Sequence, residues 1–306
     1  MNIAELNNAE HSSIGFKLTA KAYIELLKVR LSFLVAFSSG FGYLLGVQSF
    51  SWLAFSMLFV GGFFISGASV IINQILEVDY DKLMTRTMNR PLPTGRLTVE
   101  QAKLFAIFCS ILGFTLLMLS TNMLTVSLAF LSLLLYGFIY TPLKRVGSIA
   151  VFVGAIPGAL PPLLGWTAAT GNIEFQAIII FALQFIWQFP HFWAIAWVAD
   201  EDYKKAGFKL LPSNGKKDMN TAFQIMIYTL FLIPMGILPA KFGIAGITSA
   251  LVITTCGVLF LAQTFYLMKQ CLPGKEIDTK RAAMLIMFGS FLYLPIVQIT
   301  LILDKL

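Results

Sequence analysis

Charge is what this sequence has least of. Asp, Glu, Lys and Arg make up 12% of its 306 residues, against roughly a quarter in soluble domains, so no soluble body of useful size is expected. Cysteine is nearly as scarce. Cys109, Cys256 and Cys271 lie in or beside apolar runs with no pairing pattern, which excludes a disulfide framework and a cysteine metal site. Residues 1–20 are polar and contain Glu5 and Glu10. They carry neither the apolar core of a signal peptide nor the Arg-rich pattern of a transit peptide. The first apolar span is therefore expected to act as its own insertion signal. Low-complexity segments and soluble repeats are absent as well.

What is present is hydrophobic length. Apolar residues make up 58% of the chain, in runs of the roughly 20 residues that a bilayer requires of a helix. Nine spans are expected, near 23–47, 51–76, 102–120, 122–140, 149–168, 175–199, 220–240, 243–268 and 282–303. The fold class is all-α: a polytopic membrane protein with helices around a central cavity and cytoplasmic loops capping an active site. A cytoplasmic segment, 1–22, precedes a single transmembrane domain, 23–306.

The net charge of +7 reads as topology rather than as affinity for nucleic acid, because no compact basic module is left once the spans are removed. Of the 22 Lys and Arg, all but Lys241 and Lys305 fall on the side of the N-terminus. The positive-inside rule then puts the N-terminus in the cytoplasm and the C-terminus outside, as an odd number of spans demands. Glycine and proline are patterned too. Gly42 with Gly46, and Gly154 with Gly158, are small-xxx-small pairs that let helices approach closely. Residues 154–162 put three prolines in one span, read either as a kink lining the cavity or as one that merely fits the packing.

The chemistry concentrates in residues 71–96, IINQILEVDYDKLMTRTMNRPLPTGR. Asn73, Glu77 and Asp81 are four apart, a step that advances about 40° around a helix, so they share one stripe while Asp79 falls off it. An amide and two carboxylates offer hard oxygen ligands for Mg²⁺, and Lys82, Arg86, Arg90 and Arg96 suit phosphate oxygens. A second cluster, Asp200, Glu201 and Asp202, followed by Tyr203, Lys204 and Lys205, ends the sixth span on the same side. Alone it reads as a solvated helix end. Paired with the first cluster, it makes a second wall around one diphosphate. Such a site could hold a prenyl diphosphate with its tail among the helices, stabilise the departing diphosphate and shield an allylic cation in an aromatic-lined cavity.

The run N-x-x-x-(D/E)-x-D-x-D-x-x-M-x-R-T-x-x-R-P, Asn73 to Pro91, resembles the first signature of the intramembrane prenyltransferase superfamily. YTPLKR at 140–145, GAIPGALPPLLGW at 154–166, and WQFPHFWAIAW with EDYKKAG at 187–207 follow in the family's order. The last two are similar to the haem-farnesylating branch, and the likeness runs from about residue 23 to the end. It implies that farnesyl diphosphate ionises and that its C1 joins a vinyl group of haem b. Water then adds, and diphosphate leaves. It also implies Mg²⁺ and diphosphate on Asn73, Glu77 and Asp81, with Asp202 and Glu201 toward a second metal. Arg86, Arg90, Lys82, Lys144 and Lys204 are implied for diphosphate charge, and Tyr140, Trp187, Gln188 and Tyr203 for the cavity. Ala206 stands four residues after Asp202, where a second carboxylate would complete the motif. Arg90, before Pro91, could instead be a topological anchor, the commoner role for a single Arg.

His191 lies inside a span, where an ionisable residue suggests function. It could ligate haem iron, bond a propionate, move a proton, or simply bond a carbonyl freed by Pro190. The substrates implied are haem b and farnesyl diphosphate, in a bacterial inner membrane, with a haem A synthase or terminal oxidase assembly as partner. Two other functions are open: prenyl transfer to a quinone precursor or another aromatic acceptor, and transport. The nearly acid-free spans speak against ion-coupled transport.

Overall fold

The computed structural model describes residues 19–272 and 278–306. Most of the expected N-terminal segment 1–22 lies outside them. Among the described residues, nine helices are long and apolar enough to cross a membrane. They are α1 (Val29–Gly46), α2 (Trp52–Leu76), α3 (Val99–Ser120), α4 (Met123–Leu134), α5 (Ile149–Thr170), α6 (Phe175–Val198), α7 (Met219–Lys241), α8 (Ile247–Gln270) and α9 (Thr279–Leu303). The α4 span runs on through a π-helical turn, Leu135–Tyr140, into Thr141–Leu143.

α1 and α5 pack together, α6 joins them against α5, and α9 closes the group against α6 and α1. Glycine lets α1 and α5 meet. A Cβ at Gly42 would collide with the Pro162 carbonyl, and one at Gly165 with the Ser39 carbonyl, so the two backbones are in contact, as small residues allow in lipid. The other expected pair behaves differently. Gly154 makes room for the Tyr140 ring and Gly158 for the Gln188 amide, so those positions admit side chains rather than a helix.

The prolines of α5 do not stop it. Pro162 lacks the N–H that would bond the Gly158 carbonyl, and Gln184 Nε2 of α6 donates to that oxygen at 2.8 Å. Gln188 Nε2 donates to the Ala155 carbonyl at 2.8 Å. Unpaired, such groups would cost several kcal/mol each in the membrane interior. This much of the proline-rich stretch is explained by packing.

The expected first span, 23–47, is two pieces. Residues 19–26 are helical, then Lys28 takes a left-handed backbone (φ 43°, ψ 58°) before α1 starts. That conformation is costly for a non-glycine residue and needs outside support. Ser32 Oγ donates to the Leu27 carbonyl at 2.7 Å, Gln74 Nε2 to Leu26 at 2.8 Å, and Arg96 pairs with Glu25 at 2.7 Å. Arg96 holds the Glu25 carboxyl below its ordinary range.

The two ends of the bundle differ. At one, Lys305 Nζ donates to the carbonyls of Leu44 and Val47, and Gly246 N–H bonds Asp304. At the other lie Lys28 and the segments that follow α2, α4 and α6, and these carry the site.

Candidate active site

α2 ends at Leu76 because Glu77 leaves helical geometry (φ −105°, ψ 9°) before one further turn, Val78–Asp81. The hydrogen-bond stagger survives the break. Glu77 N–H bonds the Asn73 carbonyl at 3.0 Å and Asp81 N–H the Glu77 carbonyl at 2.8 Å. All three side chains therefore line one cavity of about 130 Å³. Four cations, Lys28, Arg86, Arg90 and Lys144, line it with them. Its apolar wall is Met84, Tyr136, Tyr140, Tyr203 and Phe208.

Each carboxylate is buried against one cation. Arg90 Nη1 lies 2.7 Å from Asp81 Oδ2, and Lys144 Nζ lies 2.9 and 3.1 Å from the two oxygens of Glu77. A buried ion needs such a partner to offset desolvation of several kcal/mol. Burial works against the charge on Lys144, but Glu77 outweighs it and the ammonium's pKa is raised. Lys28 goes the other way: burial, with Arg90 and Lys144 nearby, lowers it to about 7. Asp81 Oδ1 is buried with no hydrogen-bond partner, and Glu77 Oε1 faces Lys144 outside hydrogen-bond alignment. An unpartnered oxygen on a buried carboxylate costs about 1–3 kcal/mol or more. Both oxygens and the Asn73 amide suit a hard divalent cation such as Mg²⁺. Among the described residues no group of three or more His, Cys, Asp or Glu gathers to hold a metal. Two carboxylates and an amide leave positions for substrate oxygens, the usual arrangement for Mg²⁺.

The second acidic cluster does not face the first across the cavity. Asp202 accepts the backbone N–H groups of Thr85 and Arg86 at 3.1 and 3.0 Å, and Lys205 pairs with it. These bonds, the Arg86 N–H foremost, hold its carboxyl at about 2. Asp202 thus clasps the loop that carries Arg86 over the site, while Tyr203 forms the wall, with the Arg86 guanidinium 5.8 Å from its ring centre. Asp200 is buried between Lys204 and Lys217, and Glu201 is exposed.

Other expected site residues also point elsewhere. Lys82 is exposed and pairs with Asp79, on the outer side of the turn. Lys204 is exposed too, and Arg96 is spent on Glu25 and the Asn89 carbonyl. Trp187 and Gln188 are buried inside the bundle, where Trp187 Nε1 donates to the Ser290 carbonyl at 3.1 Å. His191 stacks on Trp187 with ring centres 4.5 Å apart, and its Nδ1 is 2.8 Å from Ser290 Oγ. Ser290 donates its single proton to the Met287 carbonyl at 2.6 Å. It must then accept from His191, which fixes the tautomer: Nδ1 carries the proton and Nε2 is left as an acceptor. The partner is a serine hydroxyl, not a carbonyl freed by Pro190.

Lys28 is a functional candidate absent from the sequence expectations, because a lysine at a span's edge counts as a topological anchor. Tyr136 and Phe208 of the cavity wall are absent from them too. Arg90, for which an anchor is the commoner reading of the sequence, lines the cavity.

Nine apolar helices among the described residues, closed at one end by a cavity of four cations, two carboxylates and an amide, define an integral membrane protein. The model of the UbiA prenyltransferase family matches residues 34–292, and the chain belongs to that family. Its relatives include the protoheme IX farnesyltransferase of Cytophaga hutchinsonii, 52% identical and covering 94% of this chain and 98% of the relative. That of Flavobacterium psychrophilum is 44% identical over 92% and 93%. The mitochondrial protoheme IX farnesyltransferase of Arabidopsis thaliana is 36% identical over 94% and 65%. Among solved structures, a digeranylgeranylglyceryl phosphate synthase aligns with a TM-score of 0.76 at 22% identity, covering 94% of this chain and 98% of that one. A UbiA homologue from Archaeoglobus fulgidus bound to GPP and Mg²⁺ aligns at 0.65 and 18% identity, over 92% and 99%. Both share the fold.

Proposed function

We propose that the protein transfers the farnesyl group of farnesyl diphosphate to a vinyl group of haem b, with water addition, giving haem O and diphosphate. The observation that carries this reading is the cavity itself: four cations around two buried carboxylates, with Asp81 Oδ1 unpartnered and Glu77 Oε1 outside hydrogen-bond alignment with Lys144. The choice of haem b rests on the relatives' names.

Asn73, Glu77 and Asp81 are the ligands we assign to Mg²⁺. When bound, the metal supplies positive charge to the diphosphate, both in binding and as it departs. Arg86 and Lys28, which make no ion pair among the described residues, take the remaining phosphate charge, and Arg90 and Lys144 hold the carboxylates in place. Breaking the C1–O bond leaves an allylic cation. The rings of Tyr136, Tyr140, Tyr203 and Phe208 offer it π-faces and limit water at C1. Attack by the vinyl carbon moves the positive charge onto the haem side chain. Water then adds there and loses a proton, giving the hydroxyethylfarnesyl group.

The second metal assigned to Asp202 and Glu201 is not retained, since the clasp occupies Asp202. His191 Nε2 stays our candidate for the haem side, as iron ligand or acceptor. The ionic end is assigned to the cytoplasmic face of a bacterial inner membrane, supported by the positive-inside count. A haem A synthase or terminal oxidase assembly would take the product.

Purified protein given haem b, farnesyl diphosphate and Mg²⁺ should form a haem heavier by one farnesyl group and one hydroxyl group. Product from a quinone precursor and none from haem would overturn the acceptor. His191→Ala should weaken haem binding or turnover more than farnesyl diphosphate binding, and unchanged haem affinity and turnover would remove His191 from the site.

A further inference from the structure

Asn73 has an amide whose two ends differ chemically, and only its oxygen can serve a cation. Asn73 Nδ2 lies 3.0 Å from Thr141 Oγ1, and Thr141 Oγ1 lies 2.9 Å from the Tyr136 carbonyl. A threonine hydroxyl has one proton. The carbonyl can only accept, so that proton goes to Tyr136, and the hydroxyl must accept from Asn73. The amide is thereby locked with nitrogen toward Thr141 and oxygen away from it. Among the described residues nothing donates to that oxygen, while the Asn73 side chain lines the same cavity as Glu77 and Asp81.

The carbonyl is in reach because of the π-helical turn, Leu135–Tyr140. The wider coil brings the Tyr136 carbonyl to a hydroxyl five residues on, and such turns recur at functional sites. Thr141 itself is fully buried, so its orienting bonds are shielded from water.

We infer that Thr141 is a positioning residue: with the Tyr136 carbonyl it fixes the Asn73 amide so that Oδ1 is presented to the divalent cation of the diphosphate site. This rests on the reading of Asn73, Glu77 and Asp81 as ligands, and the experiment separates the two. Mn²⁺ binding is measured by the EPR signal of the free ion, with the non-ionising analogue farnesyl thiodiphosphate present. Thr141→Val keeps the shape and removes the acceptor, and should weaken Mn²⁺ binding about tenfold, as loss of a partner behind a metal ligand does. Thr141→Ser should restore it. In an Asn73→Ala background, Thr141→Val should have no further effect. If valine prevents folding, judged by the melting profile, Thr141→Ala gives the same reading. Wild-type protein that takes up Mn²⁺ beside a Thr141→Val variant of equal affinity would overturn this inference alone. Wild-type protein that takes up none would overturn the ligand reading and this inference with it.

Discussion

Arg90 Nη1 lies 2.7 Å from Asp81 Oδ2, while Oδ1 of the same fully buried carboxylate has no hydrogen-bond partner. One oxygen fixes the side chain and the other is left for a ligand. Asp81→Asn keeps the shape but removes the charge. It should lower Mg²⁺-dependent turnover by at least about 100-fold, the scale set by losing a preorganised electrostatic group. Asn73→Ala should act the same way with the protein still folded. Near-wild-type turnover in either variant, measured on folded protein, would contradict the ligand assignment.

Lys28 gives the site a pH dependence whose sign follows from its surroundings. Burial and the nearby Arg90 and Lys144 bring its ammonium down from 10.5 to about 7. Between those values the unfolded chain binds more protons than the folded one, so the free protein gains stability as pH rises through that window. A diphosphate favours the charged lysine, so binding should take up a proton above pH 7. Affinity for farnesyl diphosphate should then fall between pH 7 and 9 by up to about tenfold per unit, the limit for one proton. Calorimetry in buffers of different ionisation enthalpy measures the uptake, and Lys28→Met should abolish it. Binding with no proton uptake in wild-type protein would show that Lys28 does not meet the diphosphate.

Asp202 separates a clasp from a metal ligand. Its two oxygens accept the Thr85 and Arg86 N–H groups. Asp202→Ala should release the loop, raising hydrogen exchange at those two amides and the KM for farnesyl diphosphate, with the Mg²⁺ requirement unchanged. A shift in the Mg²⁺ requirement without faster exchange would instead return Asp202 to the metal.

Much of this was legible in the sequence. The spans follow from apolar length, and the stripe of Asn73, Glu77 and Asp81 from a four-residue spacing that outlasts the helix break at Glu77. What spacing cannot give is direction around a turn. Lys82 and Lys204 belong to the right clusters yet pair outward with Asp79 and Asp200. Polar residues inside spans misled for another reason. Gln188 reads as a cavity lining but binds an α5 carbonyl, a need set by tertiary packing. Lys28 resembles an anchor, and Thr141, though inside the YTPLKR stretch, is a neutral hydroxyl whose role depends on which partners the fold brings to it.

The most direct test is a structure of the protein with Mn²⁺ and farnesyl thiodiphosphate, read for anomalous scattering from the metal. The expected peak lies within ligating distance of Asn73 Oδ1, Glu77 and Asp81 Oδ1, with diphosphate oxygens toward Lys28 and Arg86. A peak held only by Asp200 and Asp202, or a diphosphate seated away from this cavity, would contradict the assignment.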